Sequence, residues 1–301
     1  MTTIQTQNFG VEIELTGITR RSAANVIANY FGTSSTFLGT YYQTYGATDR
    51  KGRTWKAMSD GSIRTARRQN GRTVSAGGDY SCEIVTPILQ YEDIEDLQNI
   101  VRLLVEAGAI ANSSCGIHVH VDGANHTPES LTRLENFAVG RQDLFYEALE
   151  IGDRANRWCH KTNRTLLKAM QNANKDRASM ERVWYSAAND GYTGGIDHQH
   201  YNHTRYHGIN LHAFFTKGTV EFRLFNGTTH AGKIKAYVQF CLAMSAWAIN
   251  CPEGKLYFKS CKNYSNEKKA KLMKAVMINR LGMKGAEFKT ARLHLTKAFN
   301  A

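Results

Sequence analysis

The chain has 301 residues, 38 Lys and Arg against 26 Asp and Glu (a formal balance of +12), with 42% hydrophobic and 21% charged residues. This suits one large domain or two smaller ones and excludes a disordered or collagen-like chain. The start MTTIQTQNFGVEIEL shows no secretory leader, the apolar stretch Phe240–Ile249 is shorter than the roughly 20 residues of a membrane span, and Cys82, Cys115, Cys159, Cys241, Cys251 and Cys261 form no C-x-x-C pair, so a cytoplasmic protein with reduced thiols is expected.

Alternation predicts a strand over Asn8–Thr16, with Val11, Ile13 and Leu15 on one face. Residues 20–31 read as a helix. Thr54–Met58 reads as a short strand entering the turn Ser59-Asp60-Gly61-Ser62, and Cys82–Thr86 as a strand stopped by Pro87. A helix follows over Tyr91–Gly108, its stripe made by Ile94, Leu97, Val101, Leu104 and Val105 and its end marked by Gly108. Ile117–Val121 is a further strand, and Thr127-Pro128 opens a helix to about Glu150. Residues 150–205 are polar and basic and read as an insertion. Gly208–Phe215 and Thr219–Phe225 are predicted as a hairpin around Thr216-Lys217-Gly218, followed by an apolar helix from about Gly232 to Asn250. Strands joined by hairpins and helices, without strict βαβ alternation, predict an α+β fold with a mainly antiparallel sheet. The expected division is a domain over 1–250 and a basic helical extension over 251–301.

Charge is concentrated in that extension. Residues 252–301 hold 12 basic and 3 acidic side chains, leaving 38 − 12 = 26 against 26 − 3 = 23 elsewhere. The run KKAKLMKAVMINRLGMKG reads as an amphipathic helix with Leu272, Met273, Val276, Met277 and Ile278 toward a core. Such a helix either docks with a solvated lysine face or meets nucleic acid, anionic membrane or an acidic protein. Residues 50–72 carry eight Arg or Lys and one acid, a loop or hairpin that either receives phosphate or an acidic substrate or is an ordinary solvated face. Arg154, Arg157, Lys161, Arg164 and Lys168 recur at helical spacing, predicting one stripe that is either a solvated face or a binding site for phosphate or an acidic substrate.

The chemistry lies in which face each polar strand residue uses. Residues two apart share a face. Glu12 and Glu14 therefore share one, His118 and His120 share one, and Glu221 and Arg223 share one, with aliphatic residues behind each pair; Glu83 stands opposite Ile84 in the same manner. Singly, E-x-E reads as a solvated face and E-x-R as a cross-strand ion pair. Together they gather four carboxylates and two imidazoles that need cations, and Mg²⁺ or Mn²⁺ prefers such donors. An Arg beside a ligand carboxylate suits a phosphoryl group. Lys56 and Arg64, flanking the D-G-S turn, read as contacts to a nucleotide or an acidic substrate.

The ordered set FGVEIEL (9–15), SDGSI (59–63), CEIVTPIL (82–89), NSSCGIHVHVD (112–122) and HGINLHAFFTKGTVEFRLFNGTTHAGKI (207–234) resembles the amidoligases, a branch of the carboxylate–amine ligases related to glutamine synthetase and glutamate–cysteine ligase. The resemblance covers about residues 8–250 and is weakest over 140–205. It implies a curved, mainly antiparallel sheet with helices on its outer face, as in the glutamine synthetase catalytic domain. It also implies ATP-dependent amide formation through an acyl phosphate, with two or more Mg²⁺ or Mn²⁺ ions. By the resemblance Glu14 and Glu83 hold one ion and Glu12, His118 and Glu221 another; Arg223 stabilises the transferred phosphoryl group; His120 sits near the nucleotide. Asp60 and Ser62 match the family's turn and are assigned to substrate or amine contact. The implied partners are a carboxylate-bearing small molecule or peptide and an amine donor, and the expected setting is a bacterial or phage-infected cytoplasm.

Two other readings stand beside this one: a guanidino phosphotransferase on a related sheet, and a basic nucleic-acid-binding protein without catalysis, which leaves the carboxylates unexplained. The His-rich run Asp197–His207 is open between a structural zinc site, a substrate-covering loop and a plain polar loop. Cys115 beside His118 suggests a nucleophile, but the chemistry requires no thiol, and Lys217 reads as a turn lysine in solvent.

Overall fold

The computed structural model describes residues 1–252 and 260–300; the start of the expected basic extension, 253–259, lies outside the described residues. The chain forms two compact units, one from Asn8–Val119 with Phe225–Tyr237, the other from Met1–Gln7, His120–Leu224 and Val238–Ala301.

The first unit opens with β1 (Phe9–Leu15), which buries Val11, Ile13 and Leu15 as alternation predicts. Helix α1 (Arg20–Phe31) starts at Thr19, whose hydroxyl accepts from Ser22 N–H, and stops at Gly32, where φ is +72°. There follow β2 (Ser35–Gly39), β3 (Thr44–Thr48), β4 (Thr54–Met58), a separate hairpin of β5 (Ala66–Gln69) and β6 (Arg72–Ser75), β7 (Cys82–Val85), α2 (Ile94–Glu106) and β8 (Gly116–Asp122), whose residues from His120 on belong to the second unit. The strand order is β2-β3-β4-β7-β1-β8, and the pairs from β2 to β1 are antiparallel.

Register builds two unlike faces. Ile13, Ile84 and Ala57 lie in one row across β1, β7 and β4, and all three are fully buried. Helix α1 packs on β3 and β4 through Ala23, Ala24, Ile27 and Phe31. Each large aliphatic side chain so buried contributes about 1.5–3 kcal/mol. The neighbouring rows, Glu14–Glu83–Met58 and Glu12–Val85–Lys56, point the other way.

In the second unit the helix expected to run from Thr127 to Glu150 is two. Helix α3 (Pro128–Val139) begins at the Thr127 cap, and α4 (Gln142–Ala148) follows a break at Gly140-Arg141, where Arg141 leaves helical geometry. Residues 150–205 hold α5 (Arg164–Asn172) and α6 (Arg177–Trp184), with Cys159, Leu166 and Trp184 fully buried. The single basic stripe is not formed. Asn163 caps α5 by accepting from Leu166 N–H, so Arg154, Arg157 and Lys161 precede the helix that carries Arg164 and Lys168.

The predicted hairpin is also different. It consists of β9 (Ile209–Asn210), α7 (His212–Lys217) and β10 (Thr219–Asn226). The Asn210 side chain accepts from His212 N–H and starts α7, and Gly218, at φ +74°, ends it. The order here is β8-β10-β9, with β9 and β10 antiparallel. Helix α8 (Ala231–Asn250) runs from the first unit into the second, and α9 (Asn266–Ala275) and α10 (Lys289–His294) complete the chain. Helix α9 is docked: Met273, and Met277 in the turn that follows, are buried, and Lys269 Nζ reaches both oxygens of Glu147 at 2.7 and 2.8 Å. Among the described residues no helix is long and apolar enough to cross a membrane.

Candidate active site

Glu14 and Glu83 stand directly opposite each other on β1 and β7. Like charges in that relation repel, and both side chains are buried. One relief is the Gly116 N–H, which donates to Glu14 Oε2 at 2.6 Å from the start of β8. His118 supplies the third group. Its Nε2 is 3.8 Å from Glu14 Oε1, and ligand atoms of Glu14, Glu83 and His118 all lie within 4.8 Å of one another. His118 Nδ1 donates to Glu12 Oε2 at 2.9 Å. A carboxylate holding one ring nitrogen turns the other toward a metal, as around many histidine ligands. Two carboxylates and an imidazole suit Mn²⁺ or Mg²⁺. The resemblance gives His118 to the ion of Glu12; the structure also gathers it with Glu14 and Glu83.

The other expected residues of this unit lie around that group. Lys56 is exposed and shares the row of Val85 and Glu12. Asp60 lies outside the ligand group, its Oδ1 accepting from Ser62 N–H at 2.6 Å within its own turn. Ser81 fastens that turn by accepting from Asp60 N–H and donating to its carbonyl. Arg64 donates to Ser113 Oγ at 2.6 Å, and its backbone N–H to Ser114 Oγ, which ties the turn to the loop entering β8.

In the second unit Glu221 and Arg223 are a buried ion pair, with Arg223 Nη1 2.5 Å from Glu221 Oε1. Asn210 Nδ2 donates to the other carboxylate oxygen at 2.6 Å. Arg223 Nε donates to the Trp158 carbonyl at 3.2 Å, and its guanidinium lies 5.9 Å from the centre of the Tyr206 ring. His120 Nδ1 is 2.9 Å from Thr219 Oγ1, and its Nε2 is 3.9 Å from Glu221 Oε1. Strand alternation points to His120, Glu221 and Arg223. Asn210, Thr219, Trp158 and Tyr206 arrive by register and loop packing, and only Asn210 has a sequence signal, as the polar residue of a short strand facing Glu221.

Among the described residues no three metal-ligating side chains gather in 197–207. His198 pairs with Glu181 at 2.6 Å, Thr204 takes the Trp184 indole N–H, and His207 is buried against Asn189. Cys115 is a buried thiol.

The α+β fold thus carries a carboxylate–imidazole cluster on one sheet face and a buried Glu–Arg pair on a strand. The family described as "Putative amidoligase enzyme" matches residues 5–245, and the chain belongs to that family. Among curated proteins the chain has no match.

Proposed function

We propose that the protein is an ATP-dependent carboxylate–amine ligase built on a glutamine synthetase-like plan. The observation that carries the reading is Glu14 opposed to Glu83 with His118 beside them, in a chain of the amidoligase family. The acceptor carboxylate takes the γ-phosphoryl group of ATP to become an acyl phosphate, and an amine displaces phosphate, leaving an amide, ADP and phosphate.

Glu14, Glu83 and His118 fit one divalent ion by donor chemistry, and the resemblance assigns Glu12, His118 and Glu221 to another. An ion so held supplies charge neutralisation at the β- and γ-phosphates. Arg223 meets the charge that develops on the transferred phosphoryl group, and Glu221 holds that guanidinium in place. His120 contacts the nucleotide, Lys56 and Arg64 meet its phosphates or an acidic acceptor, and the Asp60–Ser62 turn contacts the substrate or the amine.

The test is ADP release from Mg²⁺·ATP by the wild type, Glu14→Gln and Glu221→Gln, with pooled amino acids, polyamines and acidic peptides and mass spectrometry of the products. The expected result is a product lighter by one water than its two precursors, with turnover lowered about a hundredfold or more in each variant. A phosphorylated guanidino product would replace the ligase with a phosphotransferase, and failure to bind Mg²⁺·ATP would overturn the reading.

A further inference from the structure

Among the described residues the β5–β6 hairpin pairs with no other strand, and none of its own residues is buried. An isolated two-stranded hairpin is marginal in water, and this one contributes no apolar face to the core. It turns at Asn70 and Gly71, with φ of +50° and +75°, the geometry of a tight hairpin turn. Its base is fastened by hydrogen bonds. Thr16 Oγ1 and Gly17 N–H both donate to the Ala66 carbonyl at 2.8 Å, Ala66 N–H donates back to Thr16 Oγ1, and Thr65 Oγ1 donates to the Ala76 carbonyl at 2.7 Å.

The arm carries Arg67, Arg68 and Arg72, all exposed, and residues 61–78 contain no acidic residue. Among the described residues none of the three forms an ion pair; Arg67 meets Gln69 at 3.3 Å and the Tyr80 ring at 6.0 Å. Nearby Asp79 is taken by Arg20 at 3.3 Å. Register places Arg67, Gln69 and Arg72 on one face and Arg68 with Thr73 on the other, so the arm is cationic on both sides.

Its root fixes where that charge is delivered. Thr16 follows Glu14 by two residues and shares its face of the chain. From Glu14 to Thr16 and then along the four residues of β5 is at most about 20 Å at roughly 3.3 Å per residue, the span of an extended peptide of about six residues.

We propose that the β5–β6 hairpin is a recognition arm for an acidic peptide whose reacting carboxylate lies at the Glu14–Glu83 site. The proposal rests on the ligase reading for the role of that carboxylate. Guanidinium groups pair bidentately with carboxylates. The hairpin strands carry no Phe, Tyr or Trp on which bases would stack, as single-stranded nucleic-acid grooves require.

The test is fluorescence anisotropy of dye-labelled hexaglutamate, hexaglutamine and a six-nucleotide oligothymidylate, without ATP, on the full chain. The wild type is compared with Arg67→Thr/Arg68→Thr/Arg72→Thr and with the single Arg68→Glu. Hexaglutamate is expected to bind the wild type in preference to both other probes. Its Kd should rise about tenfold or more in the triple variant, with an unchanged melting temperature, and rise in the single variant too. Equal affinity in wild type and variants, or no hexaglutamate binding, overturns the proposal. Hairpin-dependent preference for the oligonucleotide overturns it in favour of a nucleic-acid surface. Because binding is read without turnover, a protein that binds hexaglutamate through the arm yet releases no ADP would sink the ligase reading and leave the arm as a binding site.

Discussion

At the scale of single residues, the molecule keeps two carboxylates face to face across an antiparallel pair, where opposed like charges cost up to ~1 kcal/mol. If a cation is their intended partner, Mn²⁺ raises the melting temperature of the wild type, by the equivalent of about 2.7 kcal/mol at a hundredfold excess over Kd. Glu83→Gln should lose that response while being slightly more stable than the wild type in EDTA. Thermal melts with and without chelator check both arms, and a metal-free Glu83→Gln that melts lower than the wild type would mark Glu83 as a structural group. The Glu221–Arg223 pair makes the opposite case, since each partner already satisfies the other in a buried setting. Arg223→Gln leaves Glu221 uncompensated and is expected to cost about 3–5 kcal/mol, whereas Arg223→Gln/Glu221→Gln should cost clearly less; urea melts of the cycle read the difference. These four polar strand residues were legible because strand alternation sorts side chains by face. Trp158 and Tyr206, which flank Arg223, were not, since a loop brings them there and no local pattern encodes that approach.

At the scale of elements, the strands whose aliphatic rows are buried on one face were legible in place and extent, β4 and β7 among them. Strand β2 was not, because STFLG lies on the sheet edge with no residue buried, and β3 was not, because TYGAT, though between β2 and β4, carries small residues and no aliphatic alternation. The segment GINLHAFF alternates just long enough to suggest a strand, but Asn210 and Gly218 start and stop a helix inside it, and local capping overrides so short a period. The same physics cut the basic stripe at Asn163. Backbone approach is the other element-level signal. Gly227 N–H donates to the Cys115 carbonyl at 2.8 Å, and a Cβ at Gly227 would come within 2.5 Å of Cys115 Cβ. Cys115 precedes Gly116, whose N–H holds Glu14. Gly227→Ala is therefore expected to cost about 1–3 kcal/mol and to blunt the Mn²⁺ response as well. Gly32→Ala, with open space around it but φ at +72°, should cost about 1 kcal/mol and leave that response intact. Calorimetry of the two variants with and without Mn²⁺ separates them, and an undiminished response in Gly227→Ala would remove the link between β8's entry and the site.

At the scale of the whole molecule, the second unit ties stability to pH from both sides. His126 is buried between Ser130 and Ser245, and burial pushes its pKa down to about 4 from an ordinary 6.5. Burial lowers His207 and His212 likewise. As pH falls below about 6.5 the unfolded chain takes up protons at these rings that the folded chain refuses. Stability therefore drops by up to ~1.4 kcal/mol per pH unit for each fully shifted group, and the effect of His126 ends near pH 4, where both states are protonated. Glu135 acts in the other direction. Fully buried in α3, with Thr162 Oγ1 donating to it at 2.9 Å, it has its pKa pushed up to about 8 by burial. Above about pH 4.5 the unfolded carboxyl is ionised while the folded one stays neutral, so its contribution declines as pH rises to about 8. Three histidines outweigh one carboxyl below 6.5, and above it the decline from Glu135 remains, so the contribution of these four groups peaks near pH 6.5 in urea melts. Glu135→Gln cannot ionise, so its profile should be flat between pH 6.5 and 8 while the wild type falls. If instead the two profiles run parallel over that interval, Glu135 is ionised in the folded protein, and the buried carboxyl has found a compensating charge.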